Sequence, residues 1–509
     1  MKRIVSLFLL LAMLVLPVLA LVGCPSGGPD GGGEGGEVGE KTFIDNLGDR
    51  NYNDDDFVVS VLNTYEHEVY AEEDSTDVLR EAVYKRNRAI EDRFNVNIVP
   101  DVTLETGDHT AHIAHMQNCF NDGSDSFDVG MLYVYKAGIL VMDGMLYEQR
   151  EWLPYVKDAL NNGSDWWSKD INSAFTVQGK QYVSVSDWCI TAMSMTYAMV
   201  FNKQYEDDNN IASSFGAYNS MYDIVRQGNW TIETLRTMVK DIGEQLDEDE
   251  TMELDTDFFG FLCDQSTALD QFAPAFNINY ITNNGEMTPE LFTVDTRVER
   301  GFTALYDLFY GPGDGAFCFN KPNEIVTAFT AGRAFIACLP MERFTEEAFH
   351  NMEDDYGLLP YVKLDTNQKE YYSGTVDNYS VICILAVHGL EHLEFIGTMV
   401  EALSAETHNS VEQPYYDLIV THNSTRDEES IEMIEIIMKG RLYDLATLHY
   451  ARIYYTDVTL NAGYNFGLGL MMRHSITYKI PDISTYWVSV RDQIELRLEE
   501  LIDEYVNMY

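Results

Sequence analysis

Positive charge is scarce in this sequence: 33 lysines and arginines stand against 83 aspartates and glutamates in 509 residues, a formal net charge of −50 at pH 7. A surface of that sign repels phosphate backbones and anionic headgroups, which excludes nucleic acid as a partner of the folded part. It speaks to solubility more than to any ligand. Cysteine is scarce too. Besides Cys24 there are Cys119, Cys189, Cys263, Cys318, Cys338 and Cys383, mostly inside apolar runs and without CxxC spacing, so buried thiols are expected rather than a disulfide framework or a metal knuckle.

Catalytic motifs are as sparse. Residues 388 to 392 read HGLEH, formally the H-x-x-E-H pattern of zinc proteases. That pattern needs a regular helix and a distant third ligand, whereas Gly389 directly follows the apolar run Ser380 to Val387, where a strand-end turn is expected. His112, His115 and Cys119 share one helical stripe near His109, a geometry open to a soft metal, but a solvated helix face bearing histidines is the preferred reading. The acidic stretch 247 to 257 lacks the turn glycine and terminal glutamate of a calcium loop starting at Asp247. No carboxylate pair stands in a glycosidase motif. No enzyme activity, cofactor or metal is expected.

What is present begins at the N-terminus. Lys2 and Arg3 precede an apolar run from Ile4 to Val22, the layout of a secretory leader, and the run ends at Leu21-Val22-Gly23-Cys24. That tetrapeptide resembles the lipobox of bacterial lipoproteins, which implies a leader over 1–23 and Cys24 as the lipidated residue. Residues 25 to 40 hold eight glycines in sixteen and Val38 as their one apolar side chain. They cannot repay the entropy of ordering, so 24–42 reads as a flexible tether with a reach of about 20 Å.

Beyond it, strand Phe57 to Leu62, helix Asp77 to Phe94, strand Val96 to Val99, helix His109 to Phe120 and strand Phe127 to Leu132 give the βαβαβ rhythm of a parallel sheet. Ligands of such sheets sit beyond the carboxyl ends of the strands, which points to Asn63–Glu66 with Tyr65, and to Tyr133 and Tyr135. The alternative for each tyrosine is a half-buried packing residue. Farther on, Thr231 can cap a helix with Leu235, Met238, Val239, Ile242 and Leu246 in its core, and a strand is expected over Ala334–Leu339, after the break at Gly332. Tyr356–Leu359 repeats the strand pattern, and the loop after Pro360 is rich in Tyr, Asp and Asn.

Phe329, Gly332 to Phe335, Asp355 to Pro360 and Tyr371 to Asp377, with Met199–Lys203, Gly228–Leu235 and Tyr415–Asp427, follow in the order found in bacterial extracellular solute-binding proteins. The chain resembles that family, the receptors of carbohydrate ABC importers related to maltose-binding protein. The resemblance implies an α/β, two-lobed periplasmic-binding-protein-like fold with a hinge and an interlobe cleft. The lobes are expected over 43–185 with 326–372 and over 186–325 with 373–509. Ser186 to Trp188 read as a polar-aromatic loop of the first crossover, and Asp187 beside Trp188 is the pair a sugar uses: hydroxyls on the acid, a C–H face on the indole; the alternative is a surface Asp and a core Trp. Trp166 and Trp167 are weaker candidates.

The expected ligand set is therefore Tyr65, Tyr133, Tyr135, Asp187, Trp188, Glu342, Tyr372 and Asp377. The function implied is a monomeric receptor, lipid-anchored on the extracytoplasmic face of the cell membrane, that closes on a carbohydrate, an oligosaccharide above all, and delivers it to ABC permease subunits. Two alternatives stand beside it: a surface glycan- or peptide-binding lipoprotein or sensor without a permease, and a secreted zinc hydrolase resting on HGLEH.

Overall fold

Sheet formation starts where the apolar alternation does. A computed structural model describes residues 43–509 except 74, 76, 105–109, 163, 247–250, 314, 320, 423–424, 458–464 and 509. The leader, Cys24, the tether and His109 lie outside the described residues. β1 (Asp55–Leu62) is exposed at its two aspartates and enters the core at Phe57. α1 (Val78–Phe94) starts at Asp77, whose carboxylate accepts the Arg80 amide at 3.0 Å, and stops at Asn95 in the left-handed region. Such a cap contributes about 1 kcal/mol. Val83, Ile90 and Phe94 are its buried face.

β2 (Val96–Thr103), α2 (Ala111–Asp122), β3 (Val129–Tyr133), α3 (Val134–Met142) and the short β4 (Val183–Ser184) follow. The chain then crosses to β5 (Tyr197–Asn202), β6 (Phe258–Asp264), α4 (Thr267–Asp270), β7 (Ala316–Phe319), β8 (Ala334–Pro340) and β9 (Tyr356–Leu359). It returns as β10 (Ser380–Cys383) and continues into α5 (His392–Ser410) and α6 (Glu412–Val420). The strands form two sheets, ordered β2-β1-β3-β10-β4 and β7-β6-β8-β5-β9, with Gly243–Glu244 pairing at β6. β1 pairs in parallel with β2 and β3, and β6 in parallel with β7 and β8; β10 runs antiparallel to β3 and β4, as β5 does to β8 and β9. This is the expected α/β architecture of two lobes.

The lobe boundaries differ from expectation. β8 and β9 hydrogen-bond into the second sheet, and β10 into the first, so 326–372 and the segment around 380–410 exchange places. The physical reason is that β8 and β10 are buried along their whole length, and a continuous apolar run fits either sheet equally well. Only edge partners decide. The helix capped by Thr231 also ends early, at Val239, which leaves Leu246 exposed rather than in the core.

A further segment follows the lobes. α7 (Leu445–Leu448) packs on α3 of the first lobe, α8 (Met471–Thr477) packs on α4 of the second, and α9 (Ile483–Asn507) lies against the helix Thr296–Tyr310. The carbonyls of Tyr505 and Met508 at the end of α9 accept from Lys180 in the first lobe. No helix among the described residues is long and apolar enough to cross a membrane. All six cysteines of the described chain are free thiols, five of them buried.

Candidate functional site

Parallel pairing brings the carboxyl ends of β1 and β3 to one edge of the first sheet, and those of β6 and β8 to one edge of the second. β1 runs into a 3-10 turn over Asn63–Glu68, β3 into α3, β6 into α4, and β8 into a second 3-10 turn over Met341–Thr345. Two crossovers join these edges side by side. Thr196 bridges Thr375, the Tyr197 amide donates to the Gly374 carbonyl at 3.0 Å, and the Val376 amide to that of Met195 at 3.1 Å.

One buried carboxylate fastens both crossovers to the first lobe. Glu68 accepts from the Thr191 amide and from the Ser380 hydroxyl, each at 2.5 Å, and burial pushes its carboxyl up to about 7 while these bonds and Arg86 pull against it.

Beside the crossovers lies a cavity of about 70 Å³ that opens to solvent. Its walls include Asp270 and Gln271 from α4 and its C-terminal side, Asp377 and Tyr379 from the second crossover, and Tyr443 and Tyr450 flanking α7. Tyr379 and Tyr443 meet edge to face at 5.8 Å, and Thr375 donates to the Tyr443 hydroxyl at 3.3 Å. Asp270 pairs with Arg473 of α8. Burial pushes the Asp270 carboxyl up to about 7; Arg473 opposes this, and the neighbouring Asp377 and Asp264 add to it. Asp270 Oδ1 and Arg473 Nε are buried without a hydrogen-bond partner among the described residues, so the pair is incompletely satisfied.

An aromatic row leads from the first lobe to this cavity. Tyr65 meets Tyr133 edge to face at 5.1 Å, Tyr133 stacks on Tyr135 at 5.9 Å, and Tyr135 meets Tyr450 edge to face at 6.4 Å. Tyr65 and Tyr133 are buried behind Tyr135. Burial, with Tyr133 and the Glu342 carboxylate of the second lobe close by, holds the Tyr65 hydroxyl well above its ordinary pKa. Glu342 is itself raised by burial, against Arg343.

Of the residues expected from sequence, Asp377 lines the cavity, Tyr135 touches its Tyr450 wall, and Tyr65, Tyr133 and Glu342 stand behind. Asp187 and Trp188 do not reach it. Trp188 has no exposed surface and packs 6.3 Å from Phe57, so a ligand could stack on it only by opening the core. Asp187 accepts from His408 at 2.8 Å, and Ser186 bonds Ser404 at 2.7 Å; both partners lie on α5, which draws the first crossover inward. Tyr372 is half-buried beside Ser373 and is not a wall of the cavity. The indoles of Trp166 and Trp167 both donate to Glu401, at 3.1 and 2.7 Å.

His112 and His115 pair separately, with Ser60 at 3.1 Å and Asp101 at 2.7 Å, and so tie α2 to the sheet. HGLEH does not form the helix its pattern needs: His388 and Gly389 precede α5, which begins at His392. The sequence reading missed Asp270, Tyr379, Tyr443, Tyr450 and Arg473. Tyr443 and Asp444 after the helix Glu428–Lys439 carried the same Tyr/Asp composition as the loop that was noticed, which was the available signal.

No protein-family model matches the chain, and no curated protein sequence does. Among solved structures, UgpB from Mycobacterium tuberculosis in complex with glycerophosphocholine is similar at 12% identity and a TM-score of 0.52, over 88% of this chain and 98% of that one. The GacH receptor of Streptomyces glaucescens, solved unliganded and with acarbose, aligns at 12% identity and a TM-score of 0.48, over 84% and 94%. Maltose-bound MalE3 of T. maritima aligns at 11% and 0.46, over 88% and 99%. At such identities the likeness speaks for the fold, which the first of these supports: two lobes joined by crossovers, as in solute-binding proteins.

Proposed function

We propose that the chain is an extracytoplasmic solute-binding receptor that closes on a carbohydrate and passes it to an ABC permease. The cavity beside the crossovers carries this reading: tyrosine rings stand next to the half-satisfied Asp270–Arg473 pair and Asp377. Rings offer apolar faces to C–H groups, while the Asp270 and Asp377 carboxylates in the wall engage hydroxyls. A ligand held between the second-lobe wall at α4 and the aromatic row of the first lobe would favour the state in which both sides touch it. That differential contact is what would shift an open–closed equilibrium for a permease to sense.

The test is a thermal-shift screen of the purified chain against mono- and oligosaccharides, with glycerophosphocholine as a further arm because UgpB is bound to it. A ligand at 100 times its dissociation constant adds about 2.7 kcal/mol to stability. No shift with any saccharide at millimolar concentration would defeat the carbohydrate reading.

The lipobox-like Leu21–Cys24 and the glycine-rich stretch after it support anchoring through Cys24. Cys24→Ser is expected to release the protein from membranes or leave an unprocessed precursor. Membrane fractionation that finds the variant processed and still fully bound would remove the anchor from the proposal.

A further inference from the structure

At the end of the first lobe away from the crossovers, three side chains from distant parts of the sequence converge. One ligand atom each from Asp128, His388 and His392 lies within 4.8 Å of the others. The two imidazole rings are 5.4 Å apart between centroids. His388 is only 5% exposed; neither ring nitrogen makes a hydrogen bond of full geometry among the described residues, and the Phe127 backbone is the one hydrogen-bonding group among them near the ring. One backbone group can serve only one of the two ring nitrogens, so the other is left buried and unserved, which is costly in an ordinary core.

The rest of the arrangement points each group inward. Asp128 Oδ2 accepts the Val58 amide at 2.7 Å, which fixes the carboxylate, while Oδ1 faces His392 Nε2 at 2.5 Å. Tyr147 donates to the His388 carbonyl at 2.6 Å, and the His392 amide to that of Gly389 at 2.9 Å, so the turn presenting both histidines is held at two points. Asp125 lies close enough to favour positive charge at both imidazoles, and Asp55 does so at His392.

We propose that Asp128, His388 and His392 form a binding site for a divalent transition-metal ion, with zinc the best match. Two imidazoles and one carboxylate suit zinc and its first-row neighbours, whereas calcium and magnesium favour oxygen ligands alone. The backbone-anchored second oxygen of Asp128 is the outer-shell support that such ligands ordinarily have. Metal binding draws His388 toward the other two and joins the segment between β10 and α5 to the start of β3. β3 runs its whole length from this site to Tyr133, so the ion is structural and takes no part in the cavity. This reverses the sequence expectation of no metal. HGLEH supplied two ligands without making a catalytic helix, and the third, Asp128, is remote in sequence.

A second trio, Asp187, His408 and Glu412, is geometrically comparable. There His408 already bonds both carboxylates, at 2.8 and 3.2 Å, and Arg441 supplies positive charge, so that cluster is complete without an ion.

The experiment is calorimetric titration of the chelator-stripped full chain with zinc alone, followed by cobalt(II) substitution read by visible absorption. One ion per chain is expected. Loss of an outer-shell partner already weakens metal sites about 10–100-fold, so His388→Ala and His392→Gln should each weaken zinc at least about 100-fold. His408→Gln should change nothing. His392 is partly exposed, so its variant stays informative if His388→Ala fails to fold. Absence of a stoichiometric site, zinc retained by His392→Gln, or zinc lost in His408→Gln would overturn the proposal.

Discussion

Trp188 and Tyr450 make opposite responses to alanine legible. Trp188 is sealed in the first lobe, so Trp188→Ala should cost about 3–5 kcal/mol of stability, the usual price of emptying an aromatic site. Tyr450 is a half-buried cavity wall, and Tyr450→Ala should leave the melting temperature within a few degrees while weakening the proposed sugar binding by about 1–3 kcal/mol through lost stacking and packing. Asp377→Ala should behave like Tyr450→Ala, through hydroxyls left unpaired. Melting curves and binding titrations on the three variants decide the matter: a Trp188→Ala protein of normal stability, or a Tyr450→Ala protein that binds as the parent does, would refute the assignment. The adjacency Asp187–Trp188 looks like a sugar platform when read as a pair. What reverses the reading is Phe57, far off in the chain, and α5, whose Ser404 and His408 pull the neighbouring residues inward.

Among the elements, the contact between α3 and α7 is the tightest link from the first lobe to the C-terminal segment. A Cβ added at Gly138 of α3 would stand 2.0 Å from the Leu448 carbonyl oxygen. Alanine gains about 1 kcal/mol over glycine inside a helix, but a backbone oxygen cannot rotate aside, so overpacking of about 1–3 kcal/mol should win. Gly138→Ala is therefore expected to lower the urea midpoint and to speed amide exchange in Leu445–Leu448; a midpoint equal to or above the parent's would show that the two helices are not so closely docked. Local rules made much of the fold readable at this scale. Asp77 and Thr231 cap helices as their residue types suggest, and β1, α1, β2, α2 and β3 fall where their periodicity puts them. Sheet membership was not readable, because β8 and β10 are apolar on both faces and choose between sheets by partners that no local window contains. The site divides the same way: strand-end tyrosines were accessible to reasoning, and the wall built by α4 and the residues around α7 was not.

For the whole molecule, pH is the discriminating variable. Burial raises Glu68, Asp270 and Glu401 to about 7 and Asp444 to about 6. A carboxyl whose folded pKa lies above its unfolded one contributes stability that is complete below the unfolded value and is lost as pH climbs through the folded one. His408, raised to about 10 by Asp187 and Glu412, acts in the same sense. His67 and His449, lowered to about 4 and 3 chiefly by burial, oppose it below their unfolded pKa. The carboxyls outnumber them, and a formal charge of −50 adds self-repulsion that protonation relieves. The urea midpoint in chelator should thus be higher at pH 5.5 than at pH 8, and an equal or lower value would contradict this balance. The sheet order also sets a timetable for biosynthesis. Among the described residues β4 pairs with the first sheet only through β10, which leaves the ribosome after the entire second sheet. The first lobe therefore stays open-ended while most of the chain is being made, and its unpaired strand edge is exposed to mispairing for longer than that of a domain closed by local hairpins.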